Sequence, residues 1–142
     1  MKNIIFILLI NCFSLTVISC GTKSTSESAS AESSTYSDNG TTFTVTVSSS
    51  KYYIDGILTK SLTLKKGYTY FFDSTDSTTN NHPLFIGTTS TGGSYTYEYT
   101  SGVTNSRTTT ETLTFIVPPD SPSTLYYNCG NHASMGDTIT IM

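Results

Sequence analysis

The chain predicts an all-β fold, a Greek-key β-sandwich of seven or eight strands within residues 41–142. Three observations lead there. Short runs of alternating apolar and polar side chains recur from Phe43 to Ile141. Turn-forming Gly, Pro, Asn and Asp separate them, and no stretch has the apolar spacing of a convincing amphipathic helix.

In chain order, Phe43-Thr44-Val45-Thr46-Val47 puts Phe43, Val45 and Val47 on one face of a strand. Tyr52 to Ile57 follows, broken by Asp55-Gly56, a favoured tight-turn pair. Leu62-Thr63-Leu64 alternates, Lys66-Gly67 turns, and Tyr68 to Phe72 resumes. The polar loop Asp73 to Asn81 leads into Pro83 to Gly87. Residues 88–112 are rich in Thr, Gly and Tyr, and one strand is expected there, Tyr95 to Tyr99. Leu113 to Val117 stops at Pro118-Pro119, and Thr124 to Asn128 and Thr138 to Ile141 complete the set. Alternation puts Leu125, Tyr127 and Cys129 on the inward face, with Tyr126 and Asn128 pointing away.

The first nineteen residues read as a cleaved signal: Lys2 supplies a positive start and Ile4 to Ile18 is mostly apolar. That run is shorter than the roughly twenty residues a membrane span needs. Val17-Ile18-Ser19-Cys20 resembles a bacterial lipobox, which makes Cys20 the lipid-modified first residue of the mature protein. An ordinary secretory signal would instead leave Cys20 unmodified, free to pair with Cys129, or remove it. Residues 20–40 are Ser, Thr, Ala, Gly and Asn with a few charges, too little apolar surface to offset the entropy of ordering them. They form a tether with a root-mean-square span of roughly 25 Å. These features predict an extracytoplasmic, membrane-anchored domain on the periplasmic or cell-surface side.

With Lys2 lost alongside the signal, six basic side chains face ten acidic ones. That balance, without any basic stretch, argues against a nucleic-acid partner. Only 12% of the chain is charged, so its surface relies on Ser, Thr and Asn. Neither a Gly-rich phosphate loop nor an HExxH motif is present.

The chemistry concentrates in Leu125 to Gly136. Cys129, His132 and Met135 stand at i, i+3 and i+6, and a loop winding at about three residues per turn would project all three to one side. His82 is the only other histidine. A thiolate, two imidazoles and a weaker thioether match the His2Cys arrangement with a distant Met that holds copper, whereas structural zinc prefers four strong Cys or His ligands. Taken singly, His82 could be a loop histidine and Met135 a packing residue. Together they account for nearly every soft ligand past the tether.

These residues resemble the cupredoxins, or blue (type 1) copper proteins, over residues 41–142. The match lies in Tyr127-x-Cys129, in His132 and Met135 on the following loop, and in His82 after the strand Tyr68 to Phe72. The resemblance implies one copper ion with His82, Cys129 and His132 as equatorial ligands and Met135 as the axial one. Asn81, Pro83, Tyr127 and Gly136 would support them. In many members an Asn directly after the upstream His ties the two ligand loops together; here Pro83 follows His82 and Asn81 precedes it. The function implied is a membrane-tethered electron carrier cycling between Cu(II) and Cu(I), serving redox partner proteins at the same membrane. A copper carrier or buffer and a metal-free structural or adhesion sandwich are the alternatives. An enzyme would need either further copper-binding histidines or a coordination position left open by Met135.

Overall fold

Alternation becomes strand pairing across residues 40–142, the part of the chain that the computed structural model describes. The expected signal, the lipid-modified Cys20 and residues 20–39 of the tether lie outside the described residues.

The first sheet starts with β1 (Thr41–Ser48), whose Phe43 and Val45 are buried. It pairs antiparallel with β2 (Lys51–Ile54), which turns at Asp55-Gly56 into β3 (Ile57–Leu58). Asp55 takes a φ of 52° there, the left-handed conformation of a tight hairpin. On the other side of β1 lies β5 (Thr69–Asp73), in parallel register, followed by β8 (Thr112–Ile116) and the short β7 (Val103–Thr104). The second sheet has the order β4 (Leu62–Leu64), β10 (Thr138–Ile141), β9 (Thr124–Cys129), β6 (Leu84–Gly87). The chain crosses repeatedly between the sheets. Its eight longer strands are those the alternation predicts, with β3 and β7 as two-residue additions.

The inward faces of both sheets meet in one core. Val45, Tyr52, Ile54, Phe72, Leu113 and Phe115 come from the first sheet, and Leu64, Ile86, Leu125, Tyr127 and Ile139 from the second. Each of these is at most 1% exposed. Truncating one of the large residues, such as Phe115→Ala, removes about 3–5 kcal/mol of packing.

The expected strand Tyr95 to Tyr99 does not form. Two successive glycines, Gly92 and Gly93, both at positive φ, bend the chain ahead of it. Residues 95–98 then turn, with Glu98 N donating to Tyr95 O. An isolated bridge between Glu98 and Gly87, made by the bonds from Tyr99 N to Ile86 O and from Thr88 N to Tyr97 O, attaches the segment beside β6. The segment lies instead over the outer face of the second sheet. Phe85 is 1% exposed against the ring of Tyr95, and Asn128 donates through Nδ2 to Thr89 O at 2.8 Å. Asn128 points away from the core as expected, yet it is buried.

Candidate metal centre

His82 reaches its place through the loop that follows β5. Asp76 caps a short 3-10 turn, Ser77–Thr79, by accepting from Thr78 N. Thr79 is buried, its hydroxyl 2.6–2.7 Å from the carbonyl oxygens of Ser74, Asp76 and Thr109, which fixes the turn. Thr79 O accepts from His82 N at 2.7 Å, and two residues later the chain enters β6. The imidazole is thus delivered to the end of the second sheet where β9 also ends, since Leu84 pairs with Cys129.

Cys129 is the last residue of β9 and is fully buried. Beyond it the chain does not wind at three residues per turn. Ala133 bridges to Gly92, Gly93 N donates to Cys129 O, and Ser134 N donates to Thr91 O, so the 91–93 segment draws the loop outward. Ser134 takes a φ of 57° in turning the chain back toward β10. His132 is exposed, while Met135 is completely buried in the core cluster that also holds Cys129.

The imidazoles and the thiol converge. Cys129 Sγ lies 3.6 Å from His132 Nδ1 and 3.9 Å from His82 Nδ1, and the two rings are 4.8 Å apart with planes at 39°. Among the described residues, these three offer ligand atoms that all fall within 4.8 Å of one another. A metal–thiolate bond of about 2.3 Å and metal–imidazole bonds of about 2.0–2.1 Å put sulfur and nitrogen about 3.6 Å apart at a tetrahedral angle, about 3.8 Å at a trigonal one. The observed separations match those of ligands sharing one ion, so the chemistry of the donor set and its geometry agree. Burial and then the neighbouring His132 hold the imidazole of His82 below its usual pKa, which favours the neutral, metal-binding form.

The two ligand segments are tied on both sides of His82. Asn131 donates through Nδ2 to Asn81 O at 3.0 Å, and Gly130 N donates to Pro83 O at 2.9 Å. The carbonyls of Asn81 and Pro83 thereby accept from donors on the loop after Cys129, which joins the two segments. Gly130 must lack a side chain, because a Cβ there would stand 2.1 Å from the hydroxyl of Tyr95. Gly136 is constrained in the same way by the carbonyl of Tyr127, and Tyr127 N donates to Asp137 O across the neck of the loop. The hydroxyl of Tyr127 itself points to Lys60 O, away from the ligands' backbone.

Sequence reasoning missed Asn131, Gly130 and Tyr52. Tyr52 is fully buried, its hydroxyl donates to His82 O at 2.7 Å, and its backbone N donates to Met135 O at 3.0 Å. Burial, then the charge of Cys129, raises the phenol far above its ordinary range, so it stays a donor. One signal was available: a Tyr on the inward face of a strand needs a partner for its hydroxyl.

No protein-family model matches the chain, and no curated protein matches it. Among solved structures it is similar to rusticyanin from Thiobacillus ferrooxidans, at 13% identity over 72% of this chain and 77% of that chain, with a TM-score of 0.44. Reduced rusticyanin is 16% identical over 72% of this chain and 79% of that one, also at a TM-score of 0.44. The two β-sheets and the grouping of His82, Cys129 and His132 agree with what the resemblance of the sequence implied.

Proposed function

We propose that this protein is a membrane-tethered, extracytoplasmic electron carrier that holds a single type 1 copper. His82, Cys129 and His132 would bind the ion, with Met135 as the axial ligand. One observation carries the reading: a fully buried thiol sits between two imidazole nitrogens at 3.6 and 3.9 Å, the spacing of ligands on a common metal. A soft thiolate with two imidazoles and only a thioether to complete the set favours copper over zinc.

Bound copper would supply a one-electron couple, Cu(II)/Cu(I). The protein's own residues do the rest. Strand pairing fixes Cys129, and the bonds from Gly130 and Asn131 hold His82 against it, so the ligands need little rearrangement when the charge changes. His132 presents an exposed ring through which a redox partner can approach. Both histidines of the chain are used in this one site, which leaves none for the additional copper ions of an oxygen-reducing enzyme. A lipid on Cys20 and the tether of residues 20–40 would keep the domain within reach of partners on the same membrane.

The test is optical. Stoichiometric Cu(II) added to the purified protein should produce an intense visible band from a copper–thiolate bond, and Cys129→Ser should abolish it. A colourless protein at one equivalent of bound copper, or a band that survives Cys129→Ser, sinks the proposal.

A further inference from the structure

Three chain segments meet at the candidate centre: residues 79–84 with His82, the end of β9 with Cys129, and the loop that carries His132 and Met135 to β10. Each is tied to its immediate neighbour, but one residue from elsewhere touches all three. Tyr52, on β2 of the opposite sheet, gives its backbone N–H to Met135 O at 3.0 Å and its hydroxyl proton to His82 O at 2.7 Å. Its ring packs against Tyr127, two residues before Cys129, with centroids 6.2 Å apart and planes at 57°. The neighbouring Lys51 adds a bond from Nζ to Ser134 O, so β2 holds the returning loop at two successive carbonyls.

We propose that Tyr52 is the positioning residue of the site: it clamps the His82 and Met135 segments around Cys129 before any metal arrives. The clamp works across the core. Each sheet alone fixes only its own strands, and the second sheet fixes His82 and Cys129 only through β6 and β9. The bond from the Tyr52 side chain to His82 O and the bond from its backbone N–H to Met135 O together set how deep those two segments sit against the first sheet. Outer partners of this kind orient metal ligands, and their loss lowers metal affinity. The identity of the metal ligands rests on the proposed function, but the clamp itself belongs to the metal-free protein.

The test compares Tyr52→Phe with Tyr70→Phe. Both remove one hydroxyl from a buried ring, but Tyr70 sits in β5 with its hydroxyl accepting from Lys65 N, outside the bonds around His82. In the metal-free protein, amide exchange at His82 and Gly130 should accelerate about tenfold in Tyr52→Phe beyond any global change, and not in Tyr70→Phe. Copper affinity should fall about 10–100-fold in Tyr52→Phe only. Equal exchange and equal affinity in the two variants would overturn the proposal. Should Tyr52→Phe fail to fold, the wild-type protein still decides: the Tyr52 hydroxyl proton should exchange slowly enough to be observed beside His82 by NMR, and its absence would overturn the clamp. Protein that binds no copper but shows the localised exchange effect would refute the electron-carrier reading and leave the clamp standing.

Discussion

Gly136→Ala probes how closely the ligand loop is fitted to the strand beneath it. A Cβ at this position would stand 1.8 Å from the carbonyl oxygen of Tyr127, 2.7 Å from its carbon and 2.8 Å from ring atom Cδ2. Carbon–oxygen contacts normally begin at about 3.3 Å, so loop and strand must part by about 1.5 Å. The obstacle is the backbone of β9, which cannot swing aside as a flexible side chain would. Parting strains the bond from Tyr127 N to Asp137 O and pulls on Met135, the residue just before. Overpacking of this kind costs about 1–3 kcal/mol and the lost hydrogen bond about another 1 kcal/mol. In a domain of about a hundred residues each kcal/mol lowers the melting temperature by about 4–8 °C, so a fall of at least about 8 °C is expected. Thermal unfolding of the metal-free variant, followed by circular dichroism, measures it. A melting temperature within about 2 °C of wild type would refute the close-fit reasoning.

Because His132 is exposed, His132→Gly should bleach the copper–thiolate band, and added imidazole should restore it by entering from solvent. Failure of imidazole to restore any colour counts against His132 as the outer ligand. Asn131→Ala loses one neutral hydrogen bond to Asn81 O and should weaken copper binding by about 2–10-fold, measured by competition with a chelator. Glu98 supplies a pH dependence. Burial pushes its carboxyl up, but hydrogen bonds from Arg107 and Ser106 and the charge of Arg107 outweigh it and hold the pKa below the ordinary 4.5. The folded state therefore binds this proton less readily than the unfolded chain, and the stabilisation present above pH 4.5 is lost as pH falls through the lower folded value. Melting temperatures of metal-free wild type and Glu98→Gln should converge as the pH is lowered below 4.5, and curves that stay parallel there would show that the carboxyl is not tuned.

Much of this was legible in the chain because strand formation here is a local matter. Phe43 with Val45, Leu62 with Leu64, and Leu113 with Phe115 alternate on a period of two, and each pair is buried as that period requires. The grouping of His82, Cys129 and His132 was legible for a different reason: a polar chain with two histidines and one cysteine past residue 20 has few ways to bring such side chains together. What could not be read depends on pairs far apart in sequence. Tyr52 and His82 are 30 residues apart, and Asn131 and Asn81 are 50 apart. Alternation puts Tyr52 on the face of Ile54 and Tyr53 on that of Lys51, but only sheet stacking decides which distant segments Tyr52 meets. Tyr95 to Tyr99 misled for the converse reason. Its alternation is genuine, but Gly92, Gly93 and the bond from Glu98 N to Tyr95 O curl it into a cover over Phe85.

The complete burial of Cys129 makes its sulfur a reporter of excursions from the native state. An alkylating reagent meets that atom only when the end of the sandwich springs open, so the labelling half-life of the empty protein counts openings. Oxidants are held off by the same enclosure, so the thiol is kept reduced and usable for as long as the fold stays closed.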